Sequence, residues 1–500
     1  MAINGTGISF SGLASGIDSS ALIQKLVTLE GLPIKLLEAK KETFQDKLST
    51  LGTFKGLVKD LQTKAKTLAT KSDFLSFKAS ASLEGFLSVS ASGAATEGVH
   101  TVTVNKLAAV DRWAFDGVAS KTANLATVDG QQISFSVGGT NISVTTVAND
   151  SSLEQIAADI NTAGQGKVTA SVVNAGTSTS PSYQLVLTAT ESGAANRITG
   201  LTNNIAGLNI NTAGPNGAGV AQSPNNITVG SDAEAVIDGL TIVREDNDFG
   251  DVITGLDLQL QAADPTKTIT VAVDPNTEVI KTKLKDFVDT YNKLIEFVNK
   301  QNSYNQESGA GGDLFGDSIL KSVMGDIRQA LFGVSQTTVA NDTEGYSMLS
   351  LVGIKSKTNG MLEIDNTKLD SKLATNIDAF ADLFADLDGF SNGGAAQNTP
   401  AYYTDITADS GLAASLDRAI DKMMKTYTGQ GGNVLKGIFD TRSETYNTSI
   451  SKLSKDIAAK EAQVAKFQET LIARFTKLEE VMGGLNSQGA SLQAALAGLM

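Results

Sequence analysis

Residues 446–485 read YNTSISKLSKDIAAKEAQVAKFQETLIARFTKLEEVMGGL. Tyr446, Ile450, Leu453 and Ile457 are spaced 4-3-4, and Val464, Phe467, Leu471, Phe475, Leu478, Met482 and Leu485 continue the pattern. Polar and charged residues fill most of the other positions. This is the apolar seam of a coiled coil, spanning roughly 60 Å at about 1.5 Å per residue. The successive fours at Phe467, Leu471 and Phe475 form a stutter, which locally unwinds a left-handed supercoil.

The other end of the chain answers this seam. Asp18 is placed to cap a helix carrying Leu22, Leu26 and Leu29. Gly31 and Pro33 interrupt it, because proline cannot continue a helix interior without cost. A second helix is expected from Pro33 to Ala69, with Leu51, Val58, Leu61, Ala65 and Leu68 on one face. Beyond the middle of the chain, Asp274 and Pro275 read as N-cap and first residue of a helix bearing Ile280, Leu284, Phe287, Tyr291, Leu294 and Val298. Further helices are expected at 317–331 and 370–387, and a hairpin at 353–364 turning at Asn359-Gly360.

Residues 76–275 have another texture, rich in Ser, Thr, Ala, Gly, Asn and Val. Alternation at 100–104, 133–137 and 269–273 predicts strands. Asp129-Gly130 and Asp238-Gly239 have the residue types of hairpin turns. A helix at 151–161 is expected with Ser151 and Glu154 as its capping box. The Gly- and Asn-rich stretch 200–226 reads as a loop or connector.

Composition narrows the function. Of 500 residues, 41% are hydrophobic, enough for folded cores. The net charge of -14 argues against a nucleic-acid partner and against anionic membranes. With no cysteine, disulfides and thiolate metal sites are excluded. No apolar run reaches the roughly 18 residues of a membrane span. The N-terminus lacks a basic segment followed by an apolar one, so the expectation is a cytoplasmic chain or one exported without a cleavable signal.

The search for catalytic chemistry finds no site. His100 is the sole histidine, on a strand face with Val102 and Val104, and no Gly-x-Ser-x-Gly elbow accompanies it. Gly164-Gln165-Gly166-Lys167 lacks P-loop spacing. The acidic groups at 246–251 and 386–388 do not fit a calcium loop. No catalytic residue, cofactor or metal is expected, and the chain is read as a non-enzyme. Trp113, the only tryptophan, is a packed residue or an exposed anchor for a ligand.

Six collinear motifs carry a resemblance. Gly12-Leu13-Ala14-Ser15-Gly16-Ile17-Asp18, 98–108, Asp286-Phe287-Val288-Asp289-Thr290-Tyr291-Asn292, 349–369 and 468–479 resemble the bacterial flagellar filament cap family, hook-associated protein 2. Residues 134–161 are similar to the IN motif shared by flagellins and hook-associated proteins. His100 departs from the family, which often has a larger aromatic there. The resemblance implies a homopentameric ring at the distal filament tip that retains flagellin and helps each subunit fold and insert. It also implies unfolded export through the flagellar type III route. The partners it implies are further copies of the chain, flagellin, hook–filament junction proteins and an export chaperone.

The resulting expectation is an α+β multidomain chain: a discontinuous coiled-coil leg from both ends, with two inserted β-rich domains. Terminal segments 1–30 and 471–500 order late, on assembly; 31–75 and 276–470 form the leg. Residues 76–112 with 227–275 make one β domain, and 113–226 a second inserted into it. Helix pairing or assembly is assigned to Leu22, Leu26, Leu51, Val58, Leu61, Phe287, Tyr291, Ile450, Leu453, Val464, Phe467, Leu471, Phe475, Leu478, Met482 and Leu485. The rival readings are a tip-exposed adhesin that binds glycans through Trp113, and another axial protein such as flagellin or a junction protein.

Overall fold

Asp18 opens the first helix: its carboxylate accepts the Ala21 N–H at 2.9 Å. This helix, α1 (Ser19–Glu30), is followed after Gly31 by α2 (Leu32–Lys66) and the short α3 (Lys71–Phe74). The Gly31 N–H still bonds the Val27 carbonyl, whereas Pro33 has no N–H to offer and interrupts the ladder. The computed structural model describes residues 16, 18–212, 223–306, 310–333, 346–396, 399–407, 410–428 and 434–497. The chain divides into a unit of Met1–Phe74 with Lys281–Met500 and a unit of Leu75–Ile280. It is a mixed α+β chain, helical at both ends and β-rich in the middle.

The middle unit has two cores. Strands β1 (Phe77–Ala81), β2 (Leu87–Ala91) and β3 (Gly98–Lys106) lead to β4 (Val110–Ala114). Then come β5 (Gln132–Val137), β6 (Thr140–Thr145), helix α4 (Leu153–Ala163), β7 (Val168–Asn174), β8 (Tyr183–Ser192), β9 (Thr199–Asn203) and β10 (Asn226–Thr228). The chain returns through β11 (Ala233–Ile237), β12 (Leu240–Arg244), β13 (Leu256–Leu260) and β14 (Ile269–Pro275). One core lies against the sheet β1-β14-β3-β11-β12 and the pair β13-β2, where Val102, Val104, Ala235, Leu258 and Val271 are fully buried. The other lies among β10-β4-β8-β7, β6-β5-β9 and α4, with Trp113, Phe115, Ile133, Leu153 and Ile160. All named strand pairs are antiparallel, and alternation places every second residue inward.

Asp111 joins the entry and exit of the second core. Its carboxylate accepts the Trp113 indole N–H (2.8 Å), the Ile198 N–H (3.0 Å), the Asn226 side-chain amide (3.2 Å) and the Gly230 N–H (2.8 Å). A buried carboxylate is tolerable with so many donors. Elsewhere, His100 Nδ1 lies 2.7 Å from Asp238, which also accepts the Thr101 N–H. His100 belongs to β3, an interior strand paired on both sides. The Asp238-Gly239 turn between β11 and β12 has both residues at positive φ, as its residue types require.

Five local expectations are corrected. The β5–β6 turn is Gly138-Gly139, both at positive φ, and Asp129-Gly130 joins no paired strands. Ser152, not Ser151, caps α4 by accepting the Gln155 N–H, while Ser151 Oγ bonds the Val147 carbonyl. Asp274 and Pro275 still belong to β14, and Asn276 accepts the Val279 N–H ahead of the next helix. The stretch 200–226 contributes to β9, which pairs with β5, and residues 213–222 lie outside the described ones. The helix expected at 370–387 is two helices, divided where Asn376 caps the second by accepting the Ala379 N–H.

The helical unit adds α5 (Thr277–Asn302), α6 (Ser318–Phe332), α7 (Asn366–Thr375), α8 (Ile377–Phe384), α9 (Leu412–Met424) and α10 (Ile438–Ala497). Its centre is Phe54 of α2, fully buried, stacked on Phe297 of α5 (5.7 Å between centroids) and tilted against Phe439 of α10 (5.5 Å). A second aromatic cluster joins Phe74, Tyr346, Phe380 and Phe384. The hairpin at Ile354–Ile364 turns at Asn359-Gly360, with Gly360 at φ 83°.

Asp317 locks α6 to α10. It caps α6 through the Ile319 N–H, and its other oxygen accepts Arg442 at 2.6 Å and the Tyr446 hydroxyl. Burial acts upward on the Asp317 carboxyl, but Arg442 and Tyr446 outweigh it and hold it below the usual range. Burial and the Asp317 contact push the Tyr446 phenol up to about 12. With a side chain 1% exposed, Asp317→Ala should lose about 1–3 kcal/mol in urea denaturation, by removing the α6 cap and leaving the Tyr446 hydroxyl and the partly exposed Arg442 without their acceptor. A depressed carboxyl stabilises above its unfolded pKa of about 3.9 and ceases to do so as pH falls through the folded value. The difference between variant and wild type should therefore shrink below about pH 4.

Candidate functional site

Helices α2 and α10 run antiparallel. Phe54 meets Phe439 and Lys55 bonds Asp440 at 2.7 Å, while Phe44, lower on α2, meets Tyr446, higher on α10. α1 also packs on α10. Continuing the register carries α1 alongside roughly residues 463–475 of α10.

This register sorts the seam. Leu453, Val464 and Leu471 are buried, whereas Leu478, Leu485 and Leu492 are exposed, although the last five of these six are at successive seven-residue intervals. One apolar stripe thus runs from a covered half into an uncovered half. Among the described residues, the partner helix begins at Ser19, and α10 continues past it to Ala497. A second exposed stripe, Leu22, Leu29, Leu32 and Leu36, lies on α1 and the start of α2 at spacings of 7, 3 and 4.

The residues assigned from sequence fall into three groups. Leu51, Val58, Leu61, Phe287 and Tyr291 lie in the core of the helical unit, as Leu453, Val464 and Leu471 lie beneath the paired helices. Leu26, Ile450, Phe467, Phe475 and Met482 are half-buried. Leu22, Leu478 and Leu485 are exposed and pair no helix among the described residues. Leu22 faces outward on α1. The face of α1 turned inward comprises Ser19, Ile23, Leu26 and Val27, because the helix lies with its leucine stripe outward. Sequence reading missed Phe54, Phe439 and the Asp317 lock. It also missed the outward stripe, whose signal is the heptad spacing of Leu22, Leu29 and Leu36.

Trp113 is 3% exposed in the second β core. It therefore offers no surface for a glycan. Among the described residues no cluster of three or more His, Cys, Asp or Glu could hold a metal ion. No helix among them is long and apolar enough to cross a membrane.

A family model for the C-terminus of flagellar hook-associated protein 2 matches residues 230–487, and the model for its N-terminus matches 15–111. The chain belongs to the flagellar hook-associated protein 2 family. It is 27% identical to B-type flagellar hook-associated protein 2 of Pseudomonas aeruginosa, over 98% of both chains. It is 26% identical to the flagellar hook-associated protein 2 of Escherichia coli K12, over 97% of both. Its fold is similar to that in the crystal structure of the D1-D2-D3 domains of the Escherichia coli flagellar cap protein FliD. That likeness has a TM-score of 0.61 at 22% identity, covering 80% of this chain and 99% of that one. The split seam has different consequences in its two halves. Leu453→Ala, on the buried half of the seam opposite α2, should cost about 2 kcal/mol of monomer stability. Leu485→Ala should stay within about 0.5 kcal/mol. Thermal and urea melts of both variants check this contrast.

Proposed function

We propose that this chain is the structural cap at the distal end of the bacterial flagellar filament, reached through the flagellar export route. It retains flagellin and promotes its folding and insertion. Family membership supports the role, and the observation that carries it at the level of residues is the uncovered half of the α10 seam. Contiguous leucines at heptad spacing gain stability only when another helix covers them. The cover comes from neighbouring copies in a ring, a pentamer by family resemblance, and from flagellin below it. Junction proteins and an export chaperone are further partners. Deleting the gene in the source cell should abolish filament growth and release flagellin monomers into the medium. Normal filaments with a flagellin-free medium would refute the reading.

The terminal segments, 1–30 and 471–500, order late in this proposal. An isolated pair of helices as short as α1 and its α10 partner is marginal in water. Hydrogen exchange on the monomer should find 19–30 and 475–497 unprotected, with protection arising on assembly. Protection of both segments in a confirmed monomer would count against late ordering.

The adhesin reading lacks its handle, because Trp113 is buried and bonded to Asp111.

A further inference from the structure

Between α8 and α9 the chain makes an excursion that begins at Asp386 and returns at Asp405. Both carboxyls are buried, at 5% and 9% exposure. The start is anchored through the backbone: the Asp386 N–H bonds the Ala69 carbonyl, and the Gly411 N–H bonds that of Ala385. Ser410, just before the Gly411 cap of α9, and Arg418, within that helix, face the two acids.

Counting donors exposes a deficit. Arg418 places Nη1 and Nη2 each 3.3 Å from Asp386 Oδ2. Ser410 Oγ is 2.8 Å from that oxygen and 3.2 Å from Asp405 Oδ2. A hydroxyl has one hydrogen, so it cannot donate to both. Asp405 Oδ1 accepts the Thr407 N–H and hydroxyl. Asp386 Oδ1 is buried and receives no hydrogen bond. If both acids were ionised, two buried negative charges would face one guanidinium. The cleft beside them, 490 Å³, adds Lys422 and Asp326 at its lining, and Asp388 lies 3.4 Å from the Thr407 hydroxyl, whose hydrogen goes to Asp405.

We propose that Asp386 and Asp405 carry a single proton between them across Ser410 Oγ, which donates to one acid and accepts from the other, and form a clasp that closes the excursion in mild acid and loosens as Asp386 ionises. One added proton supplies the missing donor and removes the charge excess together. Burial pushes the Asp386 carboxyl up, and Asp405 adds to the rise against Ser410 and Arg418. Burial acts upward on Asp405 too, but the Thr407 donors and Asp386 outweigh it and hold it low. The one-proton state therefore occupies the interval between a lowered and a raised carboxyl. As pH rises from the ordinary carboxyl range of the opened chain through the raised one, the folded pair loses its proton, and the contribution of the clasp is lost. Arg418 extends the effect outward, because its guanidinium lies 4.4 Å from the Phe390 ring. Phe390 shares the excursion with the exposed Leu387.

Hydrogen exchange of the full chain, corrected for intrinsic rate, reads the clasp directly in peptides spanning 386–407. Opening of the wild type should increase about threefold or more from pH 4, near the opened chain's carboxyl range, to pH 8. In Asp386→Asn the amide donates as the protonated carboxyl does, and the dependence should vanish. A flat wild type, as a bridging water between ionised acids would give, overturns the proposal, as does an unchanged slope in the variant. If Asp386→Asn does not fold, carboxyl ¹³C titration of the wild type decides. The proposal expects two coupled aspartates, one titrating above the ordinary range, and fails if both titrate at or below it.

Discussion

The antiparallel contact of α2 with α10 is the constraint on which the helical unit rests. Lys55 and Asp440 are 385 positions apart. Closing a flexible loop of that length costs on the order of 5 kcal/mol. The burial of Phe54, Leu51, Val58 and Leu61 on α2 offsets it, at about 1.5–3 kcal/mol for each large side chain. The middle unit lowers the cost further by bringing its own ends together. β1 and β14 pair antiparallel, with Phe77 opposite Pro275, so entry and exit lie side by side. The two helical strands of sequence therefore leave and return at neighbouring points, and the chain between them does not behave as a flexible loop.

Buried carboxylates recur at the places where segments distant in sequence must meet. Asp111 gathers Ile198, Asn226 and Gly230 at the neck of the inserted core, and Asp317 gathers α6 and α10. Each succeeds because nearly every lone pair finds an N–H, guanidinium or hydroxyl donor. Asp386 is the exception, with one oxygen lacking a donor, and that difference makes it a candidate for titration where the others are locks.

Much of the fold was legible in periodicity. The inward face of α5 from Leu284 to Val298 and the alternation in β3 and β14 correspond to buried residues, and the 4-3 spacing on α10 does so at Tyr446, Leu453, Val464 and Leu471. Local chemistry was less legible. Two adjacent serines, Ser151 and Ser152, are equivalent as residue types, and the cap fell to the one whose backbone is extended as the helix starts. Asp129-Gly130 and Gly138-Gly139 are both turn-forming pairs, and strand pairing chose the second. Asp274-Pro275 suits a helix start, yet pairing with β1 extends the strand through Pro275.

The candidate assembly site shows the same division most clearly. Sequence by itself determined that Val464, Leu471, Leu478, Leu485 and Leu492 form one stripe, because heptad spacing places them on one side of any helix they occupy. Tertiary structure alone decided that the first two are covered and the last three are open. A residue's face follows from local geometry, but its burial depends on where the partner helix lies, and that register is set by Phe54, Lys55 and Phe44 far along the chain.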